Sequence, residues 1–132
     1  MADKWIQLMS EDGENNLYPT SHMDLLWENA SPTSDFAAQT VALDLSGYTK
    51  VVVIVNYHKD SYSSQSEHGG CGYGFALVGG EQSNVTVYAS YGSGGVFSRS
   101  FKATISGVEF TQTRYASVGN VGAIPLRIYG IK

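Results

Sequence analysis

The run Val51-Val52-Val53-Ile54-Val55 decides the fold, because it is the longest purely apolar run in the chain and every residue in it is β-branched. Residues of this type favour strands over helices, since their side chains pack well on a pleated surface. A strand without polar alternation has both of its faces covered. The run therefore predicts a strand in the middle of a sheet.

The segments on either side of this run alternate apolar and polar residues with the period of a half-buried strand, and turn residues separate them. They lie at 25–29, 41–45, 73–77, 85–91, 97–105, 108–112 and 124–129. About eight strands without a helical pattern predict an all-β fold, a β-sandwich or jelly roll of antiparallel strands. The positions that alternation assigns to the inner side are predicted to lie in or near the core, and they are Trp27, Leu43, Val53, Phe75, Val87, Phe101, Phe110 and Leu126. Pro125 predicts that the last strand begins there or lies at an edge, because proline donates no hydrogen bond.

Residues 1–24 read as an extended N-terminal arm or attachment segment, and residues 25–132 as the sandwich domain. A turn-rich polar stretch at 11–16 divides the apolar residues of the arm, so they cannot form a core of their own. Burial against a neighbouring subunit would remove this exposed apolar surface from water. The predicted oligomer interface consists of Trp5, Ile6, Leu8, Tyr18 and Arg99.

Composition excludes several classes of function. Of the 132 residues only 15% are charged, the net charge is −4, and no cluster of Lys and Arg appears, which argues against a nucleic-acid groove. No apolar run is long enough to insert into a membrane. Residues 1–10 lack the pattern of a signal peptide, so we expect synthesis in the cytoplasm. Cys71 is the only cysteine, which excludes an intrachain disulfide, and we expect it to be structurally dispensable.

The sequence offers no strong catalytic or metal motif. His58, His68 and Cys71, with Asp60 or Glu67, could ligate a metal, but their spacing matches no standard zinc pattern. The alternative is two solvated loop histidines and a small thiol. No Gly-x-Ser-x-Gly elbow is present, and the carboxylates are scattered beside turns. We therefore predict a non-enzymatic protein without cofactor or metal.

Tyrosines concentrate around the central strands and loops, and two interpretations of them stay open. Sugar recognition uses such rings with nearby amides and hydroxyls, because tyrosine has a large amphipathic surface and few rotamers to lose. The other interpretation is that the rings fill the sandwich or a subunit interface. The candidate ligand-binding residues are Tyr57, His58, Tyr62, Tyr88 and Tyr91.

Arg99 lies in register with the apolar residues Phe97 and Phe101 of its strand. A lone buried guanidinium would be costly. Either a β-bulge re-aims the side chain, or it pairs with a carboxylate between subunits. The second alternative places Arg99 in the predicted interface.

Two stretches carry a resemblance to a known group of proteins. The first stretch is Leu26-Trp27-Glu28-Asn29-Ala30-Ser31-Pro32-Thr33-Ser34-Asp35-Phe36, which runs on to Tyr48, and the second is Ile124-Pro125-Leu126-Arg127-Ile128-Tyr129-Gly130-Ile131-Lys132. Both resemble tail-associated proteins and tail-fibre tip domains of phages and prophages of Gram-positive gut bacteria. Ser98–Phe101 and Gly107–Phe110 are similar to the same group.

This resemblance implies a structural protein of the virion tail. It implies a homotrimer that contacts other tail proteins through the N-terminal arm and touches glycans of the host surface. The alternatives are a free-standing carbohydrate-binding module or lectin, which would be a monomer with a concave aromatic site, and an enzyme, which would gather polar residues in a cleft.

Overall fold

A computed structural model describes residues 23–56, 71–80, 85–90, 96–113 and 122–132. Within these ranges the chain forms eight strands, and no helix long and apolar enough to cross a membrane is found there. This confirms the all-β prediction. The strands are β1 (Met23–Glu28), β2 (Gln39–Ala42), β3 (Lys50–Asn56), β4 (Gly72–Leu77), β5 (Val85–Ser90), β6 (Val96–Thr104), β7 (Gly107–Thr113) and β8 (Ile124–Ile131).

The strands form two antiparallel sheets that pack on each other as a β-sandwich. The first sheet has the order β1-β8-β3-β4 and the second sheet the order β2-β7-β6-β5. Strand β3 lies between β8 and β4, so the Val51–Val55 run occupies the middle of a sheet as predicted. Strand β1 begins at Met23, two residues before the predicted start of the sandwich domain.

The core lies between the sheets and is filled from both sides. Val51, Val53 and Val55 point inward from β3 and are fully buried. The second sheet contributes Val87, Phe101, Val108 and Phe110 among others. Of the eight predicted core residues, Val53, Val87, Phe101 and Phe110 are buried, while Trp27 and Leu43 pack against the margin of the cluster.

The prediction for β4 was wrong, because its inward and outward faces are reversed. Phe75 is 51% exposed, whereas Gly74 and Ala76 are buried. Both faces of this strand carry residues without charge, so alternation alone could not orient it. The close approach of the second sheet decides the orientation, since a Cβ atom at Gly74 would lie 2.5 Å from Cγ1 of Val87. Only small residues fit on that side.

The prediction for Leu126 also fails, since this residue is half-buried and lies outside the core cluster. The pairing of β8 with β3 shifts register between Ile54 and Val55, which leaves Leu126 as the extra residue of a β-bulge. Pro125 stands next to the beginning of β8, which is an internal strand of its sheet.

Candidate functional site

Apart from Lys50 and the Glu28–Arg127 pair at one end, the outer surface of the first sheet is apolar, which is unusual for the solvent side of a sandwich. We call it the apolar face. It consists of Met23, Leu25, Val52, Ile54, Tyr73, Phe75, Leu77, Tyr129 and Ile131, with Lys50 among them.

Cross-strand pairing places these side chains in continuous rows. Leu25 pairs with Tyr129, Tyr129 with Val52, and Val52 with Phe75, so one row crosses all four strands. Directly paired residues point to the same side of a sheet and contact one another. The neighbouring row runs from Met23 through Ile131 and Lys50 to Leu77.

The two edge strands carry the most exposed residues of the apolar face. Met23 and Leu25 on β1 are about half exposed, as is Leu77 on β4, and Tyr73 on β4 is 69% exposed. In the centre of the face, Val52 is only 5% exposed. The face therefore has two exposed apolar ridges along its edges, and the strip between them has little exposed surface.

The outer surface of the second sheet, which we call the polar face, is built differently. Its pairs include Thr86 with Ser100, whose hydroxyl oxygens lie 2.9 Å apart, and Lys102 with Glu109, whose Nζ and Oε2 atoms lie 3.5 Å apart. Its exposed apolar surface comes from Tyr88 and from Val96 at the beginning of β6. Such a surface is stable in water without a cover.

Arg99 is 1% exposed and lies between the two sheets of the single chain. Its Nε donates to the carbonyl of Ala123 at 2.8 Å, and its two terminal nitrogens donate to the carbonyls of Thr111 at 2.7 Å and Gly122 at 3.2 Å. The guanidinium carbon lies 5.4 Å from the centre of the Phe36 ring, as in a cation–π contact. Burial lowers the pKa of Arg99 to about 10, so it stays charged at neutral pH.

This arrangement corrects the expectation of a carboxylate partner between subunits. The partners of Arg99 are backbone carbonyls of its own chain, and no surface of the side chain is left for a neighbour. The pairing of β6 with β7 does shift register between Arg99 and Phe101, but the extra residue lies on β7. The bulge therefore does not re-aim Arg99, which points inward like Phe101. Arg99 is a structural residue that ties the segment 122–123 to the second sheet.

A cleft of about 290 Å³ lies at the end of the apolar face where β1, β8 and β3 meet the loop after β1. The described residues that line it are Glu28, Asn29, Pro32, Ile54, Leu126 and Arg127. Glu28 and Arg127 are paired across β1 and β8, and Oε2 of Glu28 lies 3.5 Å from Nε of Arg127. The hydrogen bond with Tyr129 and the nearby charge of Glu28 raise the pKa of Arg127.

Two β-bulges build this cleft. The first bulge, between Leu25 and Trp27 of β1, lets Trp27 turn inward against Phe36 and brings Glu28 opposite Arg127 on the outer side. The second bulge, in β8, leaves Leu126 beside Ile54 as part of the cleft wall. Bulges re-aim side chains in this way next to functional sites.

Most of the predicted site residues lie outside the described residues. This applies to the candidate ligand-binding residues Tyr57, His58, Tyr62 and Tyr91, and to the candidate interface residues Trp5, Ile6, Leu8 and Tyr18. Tyr88 is described and lies 55% exposed on the polar face. It is separated from the apolar face and from the cleft by the thickness of the sandwich.

The residues considered as metal ligands are also largely outside the described ranges, since His58, Asp60, Glu67 and His68 belong to the segment 57–70. Among the residues that the structure describes, no three His, Cys, Asp or Glu side chains cluster. Cys71 is an exposed free thiol, and its Sγ lies 3.7 Å from Oδ1 of Asn56.

Sequence reasoning missed the apolar face and the Glu28–Arg127 pair. One signal for the face was present, because a strand with apolar residues on both sides requires cover on both sides. The small residues Gly72, Gly74 and Ala76 were a second signal, since they alternate with the large residues Tyr73, Phe75 and Leu77. The Glu28–Arg127 pair depends on register and left no signal in the sequence.

No model of a known protein family matches the chain, and neither a curated protein nor a solved structure is significantly similar to it. Of the stretches quoted from the sequence above, Leu26–Tyr48 holds the end of β1 and all of β2, and Ile124–Lys132 holds β8. Strands β1 and β8 are neighbours in the first sheet. The function therefore has to be inferred from the surfaces of the domain.

Proposed function

We propose that this protein is a non-enzymatic assembly and binding domain of the phage tail-tip type, which forms a homotrimer and contacts glycans of the host surface. The apolar face is the observation that carries the proposal. In a domain that acts alone in water, a sheet ordinarily has one apolar side toward the core and one polar side toward the solvent. Large apolar side chains on both sides of a sheet therefore support a further contact.

The size of the apolar face is sufficient for the centre of a contact between copies of the chain, although monomers also carry patches of this size. Its five large half-exposed side chains (Met23, Leu25, Tyr73, Phe75 and Leu77) expose on the order of 100 Å² each, or roughly 500 Å² together. The largest apolar patch on a monomer covers about 300–600 Å², and a standard interface buries about 800 Å² per partner. The face supplies the apolar centre of such an interface, with its polar margin as the remainder.

The shape of the face suits a threefold arrangement. Its exposed residues form a ridge on β1 and a second ridge on β4, on opposite edges of the sheet. Around a threefold axis, the β1 ridge of one subunit packs against the β4 ridge of the next. The order of three comes from the resemblance, and the two ridges are compatible with it.

The resemblance supplies the biological setting of the proposal. In that setting the protein belongs to a virion tail, and residues 1–24 attach it to other tail proteins. A free-standing lectin is the alternative, and it differs in its assembly, because a lectin of this kind is a monomer that leaves the apolar face open.

Light scattering of the full chain tests the proposal. We expect three times the chain mass of 14.2 kDa. The double variant Leu25→Lys, Phe75→Lys places one charge on each ridge and should give a single chain mass with an unchanged circular dichroism spectrum. The control Thr86→Lys places the same charge on the polar face and should keep the trimer.

A wild-type protein that is a monodisperse monomer would contradict the assembly proposal and favour the lectin. A truncated chain that starts at Met23, the first residue of β1, removes the arm but keeps the whole apolar face, so it separates the two contributions to assembly. An unchanged trimer after this truncation would show that the apolar face, rather than the N-terminal arm, holds the subunits together.

A further inference from the structure

The cleft between β1, β8 and the loop after β1 combines an apolar wall with two charged groups of opposite sign. Pro32, Ile54 and Leu126 supply the wall, and Glu28 and Arg127 stand at its edge. Small-molecule sites have this composition, with mostly apolar surface and a few polar groups that orient the ligand. The volume of about 290 Å³ is at the lower limit for such sites and fits a ligand of one ring.

Hydrogen bonds hold the wall of the cleft in place before any ligand arrives. The backbone N–H of Asn29 donates to the carbonyl of Leu126 at 2.8 Å, and its side-chain Nδ2 donates to the carbonyl of Pro125 at 2.8 Å. Oδ1 of Asn29 accepts from the N–H of Ser31 at 2.8 Å. A site that is already ordered loses less conformational entropy on binding.

The Glu28–Arg127 pair is loose enough to bind a ligand. The distance of 3.5 Å exceeds that of a charge-assisted hydrogen bond, about 2.7–2.9 Å, and both side chains are about half exposed. Glu28 accepts hydrogen bonds and Arg127 donates them, so together they match adjacent hydroxyl groups, each of which donates and accepts. Their charges cancel, which favours a neutral ligand over an ion.

We propose that this cleft binds a neutral pyranose ring, with its C–H face on Ile54, Leu126 and Pro32 and two adjacent hydroxyls on Glu28 and Arg127. The inference rests on the proposed contact with glycans and assigns that contact to a site. Among the described residues that line the cleft, Glu28 alone carries a carboxylate. Glycoside hydrolysis ordinarily uses two carboxylates, so the described lining suits binding without cleavage.

The test is a titration of the ¹⁵N-labelled full chain, in its native assembly, observed by NMR. The probes are the methyl glycosides of glucose, galactose, rhamnose, N-acetylglucosamine and N-acetylgalactosamine, with inorganic phosphate as the anionic probe. We expect at least one glycoside to shift the amide signals of residues 28–31, 54 and 126–127 and the Nε–H signal of Arg127 in a saturable way. Phosphate should leave these signals unchanged.

Two variants and a matched control locate the binding. Glu28→Gln and Arg127→Gln should each weaken binding by about tenfold, because each removes a charged hydrogen-bonding partner of the sugar. The control is Lys102→Gln together with Glu109→Gln, which removes the exposed cross-strand ion pair of the polar face, also at 3.5 Å. The control should bind like the wild type.

The outcomes separate this inference from the proposed function. Glycoside binding that shifts other residues and persists in both cleft variants would overturn the cleft site and leave glycan contact standing. Saturable binding of phosphate in place of the glycosides would overturn the neutral-sugar assignment. A trimer that binds none of the glycosides would overturn the cleft inference while the assembly proposal remains supported.

Discussion

The two sheets line the same core but present opposite surfaces on their outer sides. The first sheet is apolar on both sides, so that β3 carries valines toward the core and Val52 and Ile54 toward the outside. The second sheet is amphipathic, with Phe101 inside and hydroxyl groups such as those of Thr86 and Ser100 outside. A sheet of the second kind is stable in water, because its outer side is polar and needs no further burial. A sheet of the first kind requires a cover, and this difference is the basis of the assembly proposal.

The sheets also differ in what they bury. The inner side of the second sheet contains a charged group, Arg99, which is neutralised by no carboxylate among the described residues and is held by three carbonyls. The inner side of the first sheet at β3 is purely aliphatic. The second sheet thus depends on a polar network in its interior, while the first sheet depends on apolar contact at its exterior.

The largest expected effect on stability concerns this buried charge. Arg99→Met keeps the length of the side chain but leaves the carbonyls of Thr111, Gly122 and Ala123 without their donor. We expect the free energy of unfolding to fall by about 3 kcal/mol, measured by urea denaturation. Lys102→Met on the same strand is the control, with a change below about 0.5 kcal/mol because Lys102 is exposed. A loss below about 1 kcal/mol for Arg99→Met would show that the network is not essential to the second sheet.

The second prediction tests the reversed orientation of β4. Gly74→Ala brings a methyl group against Val87 and should lower the free energy of unfolding by about 2 kcal/mol. Gly47→Ala is the control, since no atom lies within 4 Å of a Cβ at that position, and its effect should be close to zero. If both variants are equally stable, the sheets do not approach each other at Gly74 as closely as the structure shows.

The third prediction compares the two outer surfaces. For a trimer, tenfold dilution lowers the stability of each chain by about 1 kcal/mol, because two association steps of about 1.4 kcal/mol are shared by three chains. The melting temperature of the wild type should therefore fall on dilution. Phe75→Ser, on the apolar face, should remove this dependence, and Tyr88→Ser, on the polar face, should retain it. A wild-type melting temperature that is independent of concentration would contradict assembly through the apolar face.

The smallest expected effect concerns the two exposed ion pairs, one on each sheet. Double-mutant cycles on Glu28–Arg127 and on Lys102–Glu109 should each give a coupling energy of about 0.2–0.5 kcal/mol, because water screens both pairs. A coupling above about 1 kcal/mol for Glu28–Arg127 would mean that the pair holds β1 to β8. It would then be less free to bind a ligand.

Part of the candidate site could be predicted from the sequence. Apolar alternation placed the strands, and the Val51–Val55 run placed β3 in the middle of a sheet, because these patterns are local. The alternation of β4 failed at Phe75, since an uncharged strand can face either way until its neighbours limit the space. The sequence shows that Arg99 is a charged residue at an inward position of its strand. It does not show the partners of Arg99, because they lie 12 to 24 residues away along the chain.

The sequence by itself determined the class of fold, the positions of the strands and part of the buried core, because side-chain periodicity reports burial one strand at a time. The tertiary structure decided which strands are neighbours, and therefore that Met23 and Leu25 of β1 share a surface with Tyr73 and Phe75 of β4. It also decided the register shifts that set Glu28 opposite Arg127 and turn Leu126 toward Ile54. A one-residue shift moves every following side chain to the other face of a sheet, and the pairing of distant strands, rather than any local pattern, fixes where such a shift occurs.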